Sequence, residues 1–346
     1  MRDRSLLALM ALPLMGLAAC AHTPPPPTTP AAPVQARGQT EPVGTLRADA
    51  ADDPAIWRNA ADPAASLIVA TDKKAGLYVY GLDGARRDYV KAGLVNNVDL
   101  RETQGGVILA ASDRTDATRA KIAMFRLDTQ SAKLHPLGTI DATPGEADGL
   151  CLGSIAGQVH AFLVLKDGTI AQFALDLSQQ QPTGTLVRTM KLATQSEGCV
   201  VDDRTGQLFV AEENVGIWRF GAAASAPTTP EPIARVDGKT LVADVEGLAI
   251  AAAGEAGGYL VASSQGDNAF TLYSLPSGAY AGRVRVQSGI VGAVSETDGI
   301  EVKTGDFGPQ YPGGLFVVQD GDNAPAGQNF KLLAWADVLA ALELAP

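Results

Sequence analysis

Four short pieces of this chain repeat one pattern, a carboxylate followed by glycine and an apolar residue: Asp148-Gly149-Leu150, Glu197-Gly198-Cys199, Glu246-Gly247-Leu248 and Asp298-Gly299-Ile300. They lie 49, 49 and 52 residues apart, and stepping back by 49 and then 46 reaches Asp99 and Asp53, the latter beside Asp52. Carboxylates that recur at the period of a structural repeat converge if the repeats close around an axis, and such a ring of like charge is costly unless cations offset it. Oxygen donors without His or Cys favour Ca²⁺. The 346 residues include three histidines and three cysteines, too few and too scattered for a Cys/His zinc site. A second set of charges has the opposite sign: Lys73 and Lys74 after Asp72, Arg114 after Asp113, and Lys166 before Asp167. The equivalent turns further along carry Glu212-Glu213-Asn214 and Gln265-Gly266-Asp267-Asn268. One side of a common face is then cationic and the other acidic, which suits a phosphorylated substrate. Lys and Arg would hold its non-reacting phosphates while metal ions neutralise the reacting one.

The elements that must position these groups are short strands in pairs. Each anchor is followed by two apolar runs: 68–70 with 77–80, 107–109 with 122–125, 162–164 with 170–173, 208–210 with 217–220, 259–261 with 270–273, and 315–317 with 330–333. Six such units separated by Gly, Asp and Asn turns predict an all-β chain folded as a six-bladed β-propeller. The 37 glycines and 21 prolines agree with many turns and argue against a helical bundle. A strand from Val43 to Arg47 is expected to complete the last blade, and Asp337–Leu344 to form a short capping helix. In a propeller the first strand of each blade lines the channel, which puts one acidic anchor per blade around the axis.

The N-terminus is of a different kind. Arg2 and Arg4 precede an uncharged apolar run from Leu6 to Ala19, too short to span a bilayer and shaped like a secretory h-region. Leu17-Ala18-Ala19-Cys20 resembles the bacterial lipobox, which implies a signal peptide over 1–19, lipidation at Cys20 and, with Ala at 21, an outer-membrane lipoprotein facing the periplasm or the cell surface. The Pro-rich run to about Pro42 is expected to be an extended tether, leaving 43–346 as the catalytic domain. With 27 basic against 38 acidic residues, the net charge of −11 argues against nucleic acid as a partner. The membrane is expected to be touched only through the anchor, and a monomer is the expected state.

Taken together, the motifs resemble the β-propeller phytases. The resemblance is carried by Asp52-Asp53-Pro54-Ala55-Ile56-Trp57, Thr71-Asp72-Lys73-Lys74, Asn96-Asn97-Val98-Asp99, Ser196-Glu197-Gly198, Ala211-Glu212-Glu213, Asp244-Val245-Glu246-Gly247, Glu296-Thr297-Asp298-Gly299 and Gln319-Asp320-Gly321-Asp322-Asn323, and spans about 43–336. It implies Ca²⁺-dependent hydrolysis of phytate, myo-inositol hexakisphosphate, by a metal-bound water without a covalent phosphoenzyme. By motif, Glu197, Glu212, Asp244, Glu246 and Gln265 would hold active-site Ca²⁺, with Glu197, Glu246 and Lys166 at the reacting centre. Lys73, Lys74, Arg114 and Lys166 would bind phosphate oxygens. Asp298, Asp322 and Asn323 would serve structural Ca²⁺, and Asp52, Asp53 and Asp99 would add metal ligands on the same face. Where the family commonly has Tyr, this chain has Asp148, which adds a ligand and removes a phenol donor.

Competing chemistries lack their residues. His22, His135 and His160 have no Arg-His-Gly context, and Cys151 and Cys199 no phosphate-cradling loop. Cys151 lies three residues past its anchor and Cys199 two, which predicts opposite strand faces and argues against a disulfide between them. The alternatives are a Ca²⁺-dependent lactonase-type propeller, which would not need basic groups on one rim, and a non-catalytic surface-anchored binding propeller.

Overall fold

A computed structural model describes residues 29–46 and 48–345. The expected signal peptide, Cys20 and the expected tether up to residue 28 lie outside the described residues. Six antiparallel sheets succeed one another along the chain. Their first strands are Ala51–Trp57, Val95–Thr103, Ala147–Ile155, Ser196–Asp202, Val245–Ala253 and Ile300–Thr304. Each touches the first strand of the next sheet and the sixth returns to the first, so the sheets close as the six blades of a propeller around a central channel.

The packing explains the sequence pattern. Both faces of a blade are covered by its neighbours, so the inner strands are apolar at consecutive positions rather than at alternate ones: Leu67–Asp72 and Gly76–Gly81 are buried throughout. In blade 1, Ile56, Ile68, Ala70 and Tyr80 pack on blade 6, while Ala55, Leu67, Val69 and Val79 pack on blade 2. The core is accordingly divided into six apolar layers, one per blade boundary.

Closure differs from the expectation. Val43–Leu46 forms no strand; Gly38–Gln39 pairs antiparallel with Asn329–Ala334 as the outer strand of blade 6. Ala32–Gln35, expected as tether, adds in parallel to Ala279–Gln287 and makes blade 5 five-stranded. The reason lies in the residues between the prolines: Val34 and Ala36 bury themselves in the layer between blades 5 and 6, which a solvated tether cannot do. Arg37 then clamps the C-terminal helix Trp335–Ala341 through a two-pronged pair with Asp337, at 2.6 and 2.7 Å. The folded part therefore begins before residue 43.

The cysteines also correct the sequence reading, because Cys151 and Cys199 form a disulfide with Cα atoms 5.6 Å apart. Blades related by rotation about an axis turn opposite faces toward each other, so opposite strand faces are what brings the two sulfurs together. Cys151 and Cys199 both belong to the apolar layer between blades 3 and 4. Closing a loop of 48 residues stabilises the fold by about 4 kcal/mol in the chain-entropy account.

Deleting residues 1–42 removes both N-terminal pairings, the buried Val34 and the Arg37 clamp. We expect this to lower Tm by roughly 10 °C, as a loss of about 3–5 kcal/mol implies for a chain of this size. Calorimetric melting of the full and truncated chains measures it, and equal Tm values would contradict the closure described.

Candidate functional site

At one mouth of the channel the pairing of first and second strands skips, between Ala51 and Pro54, Val95 and Val98, Ala147 and Leu150, Ser196 and Cys199, and Val245 and Leu248. In each bulge two residues face one, and the extra residue turns out of the ladder. The first bulged residues are Asp52, Asn96, Asp148, Glu197 and Glu246, and Asp298, two residues before Ile300, takes the sixth place. Hydroxyls on the second strands brace the bulges: Thr71 Oγ1 accepts from Asp53 N at 2.9 Å, and Ser112 Oγ from Asn97 N at 3.0 Å.

The glycine of the carboxylate-glycine motif has a steric cause. A Cβ on Gly149 would sit 1.8 Å from the carbonyl oxygen of Glu197, and one on Gly198 would sit 2.1 Å from that of Glu246. Neighbouring inner strands approach most closely here, and only glycine leaves room. Gly247 and Gly299 use the space to donate to the carbonyls of Asp298 and Asp52, each at 2.9 Å.

The ring is thus five carboxylates and one amide. Asn96 Nδ2 reaches Glu197 Oε1 at 2.8 Å. Two expected ligands fall outside it. Asp53 occupies the glycine position of blade 1, where it accepts from Val98 N at 2.9 Å. Asp99 lies toward the other end of the channel, paired with Arg101 at 2.9 Å and accepting from Leu152 N. A count from Asp148 by the repeat length lands on Asp99 because blade 2 places its anchor, Asn96, three residues early.

A second tier surrounds the first. The residue after the second strand donates its backbone N–H to the segment before the anchor in five blades: Lys73 to Ala50, Arg114 to Leu94, Lys166 to Glu146, Glu213 to Gln195 and Gln265 to Asp244. Three cations, a carboxylate and an amide therefore share one structural position. Lys73 Nζ lies 2.8, 3.0 and 2.8 Å from Asp49, Asp52 and Asp298. Arg114 Nη1 lies 2.9 Å from Asp148, and Lys166 Nζ 2.9 Å from Glu146. Gln265 Nε2 donates to Asp298 Oδ1. Lys74, by contrast, is exposed.

This alignment separates two adjacent glutamates. Glu212 accepts from Thr194 N at 2.8 Å, Thr194 Oγ1 at 2.7 Å and Trp218 Nε1 at 2.7 Å, which satisfies it as a structural tie within blade 4. Glu213 faces the site: Asp148, Glu197 and Glu213 can bring one oxygen each within 4.8 Å of one another, and so can Glu213, Asp244 and Glu246. The signal available in the sequence was the register of Glu213 with Lys73, Arg114 and Lys166. Asp322 and Asn323 line a cleft of 590 Å³ on blade 6 beside Asp49 and Glu296, and Asn323 Oδ1 is taken by Lys331 Nζ at 2.9 Å.

The electrostatics follow from this crowding. Burial pushes the Asp148 carboxyl up to about 7 against the pull of Lys166 and Arg114, and burial, then Asp52, pushes that of Asp298 up to about 7. Burial followed by Asp148 and Glu246 raises Glu197 well above its usual range, and burial followed by Asp298 does the same for Glu246. Glu213 is raised by burial and then by Asp244. Burial opposes the charge of Lys73, but Asp52 and Asp298 outweigh it and push this ammonium up. Asp148 Oδ2, Glu213 Oε1 and Glu246 Oε2 are buried without a hydrogen-bond partner. Orphaned carboxylate oxygens at ligand spacing fit a hard divalent cation.

A family model and a curated relative agree. A family model described as Phytase matches residues 5–346. A 3-phytase of Bacillus subtilis (strain 168) is 37% identical over 326 residues, covering 88% of this chain and 84% of that protein. Among solved structures, Chaetomium thermophilum Sqt1 bound to the N-terminus of the ribosomal protein L10 matches 77% of this chain and 71% of that one, at 14% identity and a TM-score of 0.45.

Two outcomes follow from the geometry. Glu213→Gln should weaken Ca²⁺ binding about tenfold or more with little loss of metal-free stability, whereas Glu212→Ala should deprive the Thr194 N–H and hydroxyl and the Trp218 indole N–H of their acceptor and lower Tm by roughly 2–5 °C; calcium titration and melting of both variants test this, and the reverse assignment would contradict it. In chelator, the folded chain holds protons on Asp148 and Asp298 that the unfolded chain has already released. Its stability should therefore fall as pH rises from about 4 through about 7. The Tm gain on adding Ca²⁺ should grow over the same window, since bound cation requires the ionised forms; a pH-independent gain would contradict the shifts.

Proposed function

This chain belongs to the phytase family, and on that premise we propose that the channel mouth described above is its catalytic centre and that Ca²⁺ is the ion its carboxylates hold. The protein is a phosphoric monoester hydrolase that takes phosphate from phytate. The observation that carries the site assignment is the shared position of Lys73, Arg114 and Lys166 within hydrogen-bond reach of ring carboxylates or of Glu146 beside them. An active site for a polyanion in a protein of net charge −11 needs such a local reversal of sign.

Asp148, Glu197 and Glu213 would hold one cation, and Glu213, Asp244 and Glu246 a second, with Glu213 shared. Bound Ca²⁺ would supply charge neutralisation at the phosphoryl oxygens and a water of lowered pKa. The residues of the chain do the rest. With the carboxylates occupied by cations, Lys73 and Arg114 exchange their carboxylate partners for phosphate oxygens, Arg114 presenting a planar fork suited to them. Lys166, more exposed than the other two, gives up Glu146 in the same way. Gln265 and Asn96, as amides, orient Asp298 and Glu197 without adding charge. The cleft of 430 Å³ bounded by Asp49, Gln265, Asn268, Glu296 and Asp298 extends the mouth toward blade 6 and gives the neighbouring phosphates a place to lie. Among the described residues no histidine reaches the ring; His160 is tied to Gln172 at 3.1 Å. Both cysteines of the folded part are in the disulfide, so neither a histidine nor a cysteine is placed to form a covalent phosphoenzyme, and attack by water is the course we infer.

The disulfide favours an oxidising compartment, in accord with export and lipidation at Cys20, and the domain is proposed to work outside the cytoplasm on the end of that anchor.

Phosphate release from phytate by the full chain, with Ca²⁺ and with excess chelator, tests the reading. Release should require Ca²⁺ and fall by about 10²–10³-fold in Glu197→Gln and in Arg114→Ala. Undiminished release in chelator, or in both variants, would contradict it.

A further inference from the structure

We propose that the Cys151–Cys199 disulfide is a positioning crosslink that holds Asp148, Glu197 and Glu213 at ligand spacing before a cation arrives. The proposal rests on the reading that these carboxylates bind cations. Cys151 lies three residues beyond Asp148 and Cys199 two beyond Glu197, on the very strands whose bulges present those carboxylates. Both cysteines line the channel directly beneath the ring. The bond therefore joins the two inner strands close to the point where they carry like charge.

Two other boundaries of the mouth have ionic bridges. Lys73 of blade 1 reaches Asp298 of blade 6 at 2.8 Å, and Arg114 of blade 2 reaches Asp148 of blade 3 at 2.9 Å. Between blades 3 and 4 the mouth presents Asp148, Glu197 and Glu213 together, and among the described residues no Lys or Arg lies within 4 Å of Glu197 or Glu213. Wherever these carboxyls are ionised with no ion bound they repel one another across the boundary; Arg114 answers only Asp148 Oδ1, and Asp148 Oδ2 and Glu213 Oε1 stay without a hydrogen-bond partner. A covalent link at a Cα separation of 5.6 Å opposes that repulsion. Binding then needs little rearrangement, which is how pre-organisation raises affinity. The second candidate cluster, Glu213 with Asp244 and Glu246, spans blades 4 and 5, away from the crosslink.

The test is a calorimetric Ca²⁺ titration of the full chain beside its Cys151→Ala/Cys199→Ala variant, with melting curves of each in Ca²⁺ and in chelator. The crosslink predicts that one class of Ca²⁺ sites weakens about tenfold and the other, which shares Glu213, by less, and that the Tm gain on adding Ca²⁺ shrinks. Treating the parent chain with a dithiol, which leaves two protein thiols and one oxidised dithiol, should reproduce the effect and serves in place of the variant should the latter not fold. Unchanged Ca²⁺ affinity, with Tm lowered equally in Ca²⁺ and in chelator, would make the bond a purely structural staple and overturn the proposal. Absence of Ca²⁺ binding to the parent chain would instead overturn the cation reading on which it rests.

Discussion

Five carboxylates brought to one mouth of a channel, partly buried and mutually repelling, are the constraint to which the rest of the molecule answers. The closest approach of the inner strands concentrates them. The strand bulges aim them. Three basic side chains from blades 1 to 3 neutralise one half of the mouth, while the half built by blades 4 and 5 keeps unpartnered oxygens on Glu213 and Glu246. That imbalance is the functional asset. A site fully satisfied by its own lysines would have no affinity left for a cation, and one with no lysines would repel a phosphate ester.

Holding such a mouth together takes stiffness elsewhere. Six apolar layers between blades supply most of it, and ring closure by Gly38–Gln39 ties the first residues of the fold to blade 6. The extra parallel strand Ala32–Gln35 and the Arg37–Asp337 clamp make the N-terminal segment part of the structural frame rather than a leash. The same economy is visible at the blade boundaries of the mouth, where Lys73 and Arg114 both bind the ring and bridge neighbouring blades.

The six-fold repeat was legible because both faces of every blade are buried and because the carboxylate-glycine pair has a strict steric origin. Four of the six ring positions, Asp148, Glu197, Glu246 and Asp298, are readable from that pair alone. Blades 1 and 2 replace the glycine with Asp53 and Asn97, so counting by period drifted to Asp53 and Asp99, and the neutral Asn96 offered no charge to mark its place. Glu212 and Glu213 are indistinguishable as letters; only the register with Lys73 and Arg114 separates a structural tie from a residue that faces the mouth. The disulfide was misjudged because parity of strand faces was applied as if the two strands shared a sheet, whereas they belong to blades that meet front to back. The tether was misjudged because proline content hid Val34 and Ala36, whose burial is decided by a partner strand some 250 residues away in sequence.

The ring is expected to stay partly protonated until a cation replaces those protons. Calcium titration of the metal-free full chain near pH 7, repeated in two buffers of different ionisation enthalpy, counts the protons released per ion bound. The account predicts release of protons on binding, because Asp148 and Asp298 titrate near 7 and Glu197 and Glu246 well above their usual range. Binding heats that are identical in the two buffers would contradict it.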